Sequence, residues 1–260
     1  MSAASIYRWH KGELQLVDFS DPGETAIVAA DSWLVQGGSV LALDLHRSRF
    51  LAAVAQTEDA EAFWSAAVAA IPLNGDWFPR VELQLREEGL HFVFHVRQAP
   101  ELRRSLVLAT HGGPDPRRSP TIKGPDTDAL LAARTAVQLL GADEAVILSP
   151  DGYVVEGAYS ALLWWRGDAL CSPSPELARV DSVTARSVIT LATALGLDVL
   201  YESVTPADLD GLEVWALSAL HGIRIVTGWI DGPAPAELPG RLGLWRARLD
   251  RLRRAIPVAA

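Results

Sequence analysis

His111-Gly112-Gly113-Pro114-Asp115-Pro116-Arg117-Arg118-Ser119-Pro120 is rich in glycine and proline and has no apolar period. Such a stretch cannot sit inside a helix, where proline removes an amide and clashes with the preceding turn, nor in a central strand. It therefore cuts the chain into two folding segments. With 260 residues in all, each segment is long enough to bury a core of its own. The expected organisation is a domain over 1–110, a linker over 111–122 and a second domain over 123–260.

Strand and helix signals alternate on both sides of this break. Before it, Ala26–Val35 and Ser39–Leu43 are apolar around Gln36-Gly37-Gly38, a hairpin signal. Helices are expected over His46–Ala55 and Asp59–Ala70, the second opening on acidic residues that suit a helix's positive end. Val81–Leu85 and Phe92–Val96 alternate about a Glu87-Glu88-Gly89 turn, and Ser105–Ala109 adds one more strand. After the break, a helix over Asp126–Leu140 stops at Gly141. Short strands follow at Ala145–Leu148, Tyr153–Val155, Ala161–Trp165 and Leu170–Cys171, then a helix over Val183–Leu195 ending at Gly196. Asp198–Ser203, Glu213–Leu217 and Ile223–Ile230 read as strands, and Leu238–Ala255 as a closing helix. The class expected is α/β.

Composition narrows the function classes. The net charge of −9 and the lack of a basic stripe argue against nucleic acid. The one basic run, Arg246–Arg254, has the leucine spacing of a solvated helix face. No apolar run is long enough to span a bilayer. Met1–Asp18 carries Lys11, Glu13 and Asp18 where a signal peptide would be apolar. A single cysteine, Cys171, excludes an internal disulfide and fits a reducing compartment, so a cytoplasmic location is expected. Trp164-Trp165 suits either core packing or an apolar subunit interface.

Only two lysines, Lys11 and Lys123, stand among 23 basic residues. Arginine serves wherever a surface cation is wanted, but it cannot replace a primary amine that must lose its proton to react. Lys11 lies in a His10-Lys11-Gly12-Glu13 turn; Lys123 lies in Thr121-Ile122-Lys123-Gly124-Pro125, between linker and helix. By count alone, chance and chemistry explain Lys123 equally well.

The order of motifs after the break goes further. Lys123-Gly124 is followed by Gly141-Ala142-Asp143-Glu144-Ala145 and Asp151-Gly152-Tyr153-Val154-Val155-Glu156-Gly157-Ala158. Then come Ser182-Val183-Thr184-Ala185-Arg186, Val204-Thr205-Pro206-Ala207-Asp208-Leu209 and Ser218-Ala219-Leu220-His221-Gly222-Ile223-Arg224-Ile225-Val226. With Leu45-His46-Arg47-Ser48-Arg49-Phe50 upstream, this series resembles the class IV aminotransferases, which include branched-chain and D-amino-acid transaminases and 4-amino-4-deoxychorismate lyase. The resemblance implies an α/β, two-domain chain of pyridoxal-phosphate (PLP) fold type IV, D-amino-acid-aminotransferase-like. Its small N-terminal α/β domain precedes a larger C-terminal mixed β/α domain. The cofactor implied is PLP, the partner a small amino acid or keto acid, and the assembly a homodimer.

Residue by residue, the family's Schiff-base lysine falls on Lys123 and its pyridine-nitrogen carboxylate on Glu156. The phosphate arginine falls on Arg49. Val183 and Thr184 open a helix whose free amides attract an anion, and Ser218 and Ala219 fall in a second phosphate-contacting loop. His221 reads as a loop histidine. The family's tyrosine after the lysine is absent, its place taken by Pro125-Asp126-Thr127-Asp128, and Ser160-Ala161 stands where Ser-Asn is usual. The Asp31–Asp44 hairpin is short, so substrate choice does not carry over. A transaminase is expected first, 4-amino-4-deoxychorismate lyase second, and a non-catalytic member that keeps the fold third.

Overall fold

The computed structural model describes residues 5–17 and 25–257, so Asp18 and the ends of the expected domains lie outside the described residues. Period-two patterning builds the first sheet. In Arg80–Arg86 and Gly89–Val96, Val81, Leu83, Phe92, Phe94 and Val96 are buried on one face. Arg80, Glu82, Gln84 and His95 share the other. These two strands form the middle of a five-stranded antiparallel sheet ordered Glu13–Leu16, Ser5–His10, Gly89–Val96, Arg80–Arg86, Ala26–Ser32. Helices Leu43–Ala53 and Ala60–Ala69 cover its apolar face through Phe50, Phe63 and Trp64, with Phe63 stacked on Phe92 at 4.7 Å.

The second sheet has eight strands in the order Val154–Gly157, Glu144–Leu148, Ser105–Thr110, Gly222–Ile230, Glu213–Ser218, Ala161–Arg166, Ala169–Pro173, Val199–Glu202. Helix Thr127–Gln138 buries Ala133 and Val137 against Ala109, Ala145 and Ile147. Helix Val183–Ala194 lies on Glu213–Ser218 and Ala161–Arg166. Helix Arg241–Asp250 lies on Gly222–Ile230 and sets Trp245 against Trp165 and Trp215 at 5.4 and 5.9 Å. Trp164 and Trp165 are therefore core residues within this one chain. The α/β class is what the alternating signals implied.

The chain clusters into two compact units: one runs to Leu102 and takes in Ile122–Pro125 and the segment from Leu252, the other holds Arg103–Thr121 and Asp126–Arg251. These seams differ from the division at 110 and 122. Ser105–Thr110 is a central strand, parallel to both Glu144–Leu148 and Gly222–Ile230, and its Leu106, Leu108 and Ala109 are buried, so it belongs to the second unit. The closing helix is also shorter than Leu238–Ala255. Pro239-Gly240, with Gly240 at φ 85°, delays its start to Arg241, and it ends at Asp250. Arg254–Ala255 then pairs with Ser39–Val40 as a strand. Arg246 is not on a solvated face either: its guanidinium donates to the carbonyls of His221 and Ile223.

Candidate active site

Two of the expected residues, Arg49 and Lys123, belong to the first unit. Adjacent residues of the edge strand Ala26–Ser32 hold both. The Ala30 amide donates to the Lys123 carbonyl at 2.7 Å, which ties the lysine's main chain to the strand. Gly124 fits there only because it lacks a side chain. Its φ is 129°, and a Cβ would stand 2.7 Å from the Ala30 nitrogen and 2.9 Å from the Ala29 carbonyl carbon. Gly124→Ala is therefore expected to lower stability by about 1–3 kcal/mol, since the backbone it meets cannot give way. Urea unfolding of the cofactor-free protein measures this.

Arg49 is fixed by Asp31. Its Nε and Nη2 donate side-on to the two Asp31 carboxylate oxygens, both at 2.8 Å. His46 lies one turn before Arg49 on the same helix face, and its Nδ1 meets Asp31 Oδ1 at 2.7 Å. Asp31 is 0% exposed. Burial alone would push its carboxyl up, but the charges and hydrogen bonds of Arg49 and His46 outweigh this and hold it well below the ordinary carboxylate range.

The remaining expected residues, Glu156, Val183, Thr184, Ser218 and Ala219, belong to the second unit. Glu156 lies within the Val154–Gly157 strand, next to its last residue, and is 7% exposed. One of its oxygens accepts from Arg117 Nη1. The Arg117 side chain is 3% exposed, and its other edge is clamped by Asp115 through Nε at 2.9 Å and Nη2 at 2.7 Å. Burial would raise the Asp115 carboxyl, yet its hydrogen bonds to Arg117 hold it low. Arg179 lies within electrostatic reach of Glu156, but the carbonyls of Pro173, Ser174 and Leu177 take up its guanidinium.

Val183 and Thr184 are the first two residues of the helix Val183–Ala194. Ser182, not Thr184, caps it: the Ser182 hydroxyl accepts the Ala185 amide at 3.3 Å. In a helix the amides of Val183 and Thr184 have no carbonyl one turn back to receive them, so they suit an anion. Ser218 ends the strand Glu213–Ser218 and Ala219 follows it in the tight turn to Gly222–Ile230, with Ser218 Oγ accepting the His221 amide at 3.2 Å. His221 Nδ1 accepts the Arg103 amide. Burial and the charges of Arg224, Arg134, Arg103 and Arg246 push its ring down to about 4, so near neutral pH it is a neutral hydrogen-bonding group. Asp126, standing in the stretch that lacks the family's tyrosine, accepts the Arg118 and Ser119 amides at 2.9 and 2.8 Å. Its carboxylate is thus spent on capping that turn.

Asp31 and Arg117 escaped the sequence reading. Asp31 left a signal, a lone carboxylate inside the apolar run Ala26–Val35. Arg117 left none, because an arginine in a Gly/Pro-rich stretch reads as solvated linker.

A family profile described as amino-transferase class IV matches residues 29–229. The chain belongs to that family. Solved structures share its fold at low identity. A branched-chain aminotransferase from Thermoproteus uzoniensis, solved with norvaline, is 20% identical, with 95% of this chain and 94% of that one covered and a TM-score of 0.80. A hypothetical aminotransferase from Mycobacterium tuberculosis in its PLP-bound form is 18% identical, over 96% and 98% of the two chains, with a TM-score of 0.74. A protein assigned as a 4-amino-4-deoxychorismate lyase from Legionella pneumophila is 16% identical, over 88% and 91%, with a TM-score of 0.75. No curated protein matches the sequence significantly. The fold is thus PLP fold type IV. The family is one of enzymes, with aminotransferase and lyase members both compatible with this chain.

Proposed function

We propose that this class IV family member is a PLP-dependent aminotransferase acting on an amino acid and keto acid pair. The observation that carries the reading is Lys123, one of two lysines in the chain, anchored through its carbonyl to Ala30 inside the span matched by the family. The donor set fits the cofactor's three handles. Lys123 offers a primary amine for an aldehyde carbon, and Glu156 a buried carboxylate for a protonated ring nitrogen. Arg49 and the helix-opening amides of Val183 and Thr184 suit a phosphate, as do Ser218 and the Ala219 amide. When bound, PLP draws electron density away from the substrate's α-carbon. Lys123 Nζ then moves the proton at that carbon, and Glu156 holds the proton on the ring nitrogen. Phe50, the neighbour of Arg49 on its helix, and Trp33 are both buried in the core of the first unit. The reading includes a homodimer in the cytoplasm, as the family resemblance and the single cysteine suggest.

The second reading is 4-amino-4-deoxychorismate lyase, with the same lysine moving the proton and pyruvate leaving. The Ser218-Ala219-Leu220-His221-Gly222 turn favours it. There His221 is neutral and fixed by Arg103 and Arg246, so the turn presents a rigid, uncharged rim.

Spectra of the purified, PLP-loaded protein test both. The transaminase reading expects a yellow protein that an amino acid bleaches and a keto acid restores. Pyruvate release from aminodeoxychorismate with no need for a keto acid would replace it with the lyase. A protein that stays colourless after incubation with PLP would exclude both.

A further inference from the structure

Asp31 is the most completely engaged carboxylate among the described residues of the first unit. Oδ1 takes the Ser32 amide at 2.7 Å, His46 Nδ1 at 2.7 Å and Arg49 Nη2 at 2.8 Å, while Oδ2 takes Arg49 Nε at 2.8 Å. Three of these donors meet Oδ1 and one meets Oδ2, so most of the carboxylate's roughly four acceptor positions are used inside the protein. Its contribution is directional. A side-on carboxylate fixes the plane and rotation of a guanidinium, and here it turns the Nη1–Nη2 edge of Arg49 away from itself. His46 holds the carboxylate from the helix, and its ring in turn lies 5.9 Å from that of Trp33, with both residues buried.

The pair is nearly neutral as a whole. An anion meeting Arg49 therefore gains little from net charge and much from donors already aimed. An unfixed arginine would have to surrender its side-chain freedom on binding, at a cost comparable to the interaction itself. We propose that Asp31 is a positioning residue that presets the Arg49 fork for the cofactor's phosphate, with His46 locking Asp31 in turn. This inference rests on the assignment of Arg49 under the proposed function.

The test compares the affinities of the cofactor-free protein for PLP and for pyridoxal, which lacks the phosphate, by absorbance without substrate. The ratio reads the phosphate contact alone. Asp31→Asn keeps an acceptor for His46 and Ser32 but presents an amide nitrogen to Arg49 Nε, so the fork is displaced while net positive charge increases. The expected result is a loss of PLP over pyridoxal preference of about tenfold or more, with pyridoxal affinity unchanged. Arg49→Lys, which keeps the charge and loses the fork, should show the same loss. In an Arg49→Gln background, Asp31→Asn should cost no further preference.

An Asp31→Asn protein that keeps or strengthens the preference overturns the inference, because charge and not aim would then govern binding. If that variant does not fold by circular dichroism, His46→Gln takes its place, and a preference unchanged there overturns the inference equally. If Arg49→Gln itself keeps the preference, the assignment of Arg49 fails, and the inference with it. If the unaltered protein binds neither compound, the proposed function fails.

Discussion

Lys123→Ala protein incubated with PLP is expected to show none of the visible absorbance of a lysine-bound cofactor, and to have lost turnover by several orders of magnitude. The reason is chemical. Alanine supplies no amine to hold the aldehyde and no group to move the α-proton, and positioned proton transfer alone is worth roughly a hundred- to ten-thousand-fold in rate. The only other lysine, Lys11, lies in the hairpin turn between Ser5–His10 and Glu13–Leu16 and is committed to a positive φ of 51° there. A variant that kept the absorbance band would remove Lys123 from the cofactor and with it the proposed function. Circular dichroism checks that the variant folds; its bond to Ala30 runs through the main-chain carbonyl, which alanine retains.

Arg117→Gln is expected to destabilise the cofactor-free protein by about 3–5 kcal/mol near neutral pH, because it leaves two carboxylates, Asp115 and buried Glu156, without the cation between them. Arg179 does not substitute, as three carbonyls already hold it. The effect has a definite pH dependence. Asp115 is held below its ordinary value in the folded protein, so its stabilising contribution is full above the ordinary carboxylate range and fades as pH falls through the lowered value. The variant lacks that contribution at every pH. Its deficit should therefore shrink as the solution is acidified towards pH 3. Thermal unfolding of both proteins from pH 7 downward measures it; a deficit below about 1 kcal/mol at pH 7 would show that Arg117 is not the counter-ion of this cluster.

Much of the fold is written locally. The alternation in Val81–Leu85 and Phe92–Val96 marks paired strands because one face must be buried and the other wet, and the structure pairs them residue for residue. Gly141 and Gly196 mark the ends of the helices Thr127–Gln138 and Val183–Ala194, adopting φ of 93° and 74° that a side chain would resist. The N-terminal hairpin was present only as its turn. Tyr7 and Trp9 alternate with Arg8 and His10, but the strand is short and only half-buried, so its signal is weak. The seams between units were hidden for a different reason. Ser105–Thr110 precedes the glycine-proline stretch in sequence, and nothing local says that its hydrogen bonds go to Gly222–Ile230, more than a hundred residues on.

For the candidate site, a family pattern supplied the residues that would face a ligand, such as Arg49 and Glu156. Their supports lay in tertiary geometry. Asp31 and Arg117 each pair a charge with its opposite across turns that no short-range spacing encodes.

The Ile122–Pro125 segment also has a bearing on solubility. Ala26–Ser32 is the last strand of its sheet, and an outermost strand offers unpaired amides and carbonyls on which a strand of another molecule can grow. The Lys123 carbonyl occupies one of those amides, and Gly124 packs flat against the Ala29–Ala30 backbone. The residues proposed for chemistry thus also guard the sheet against fibre-like addition of further chains. A first-unit fragment ending at Leu102 would lose that guard.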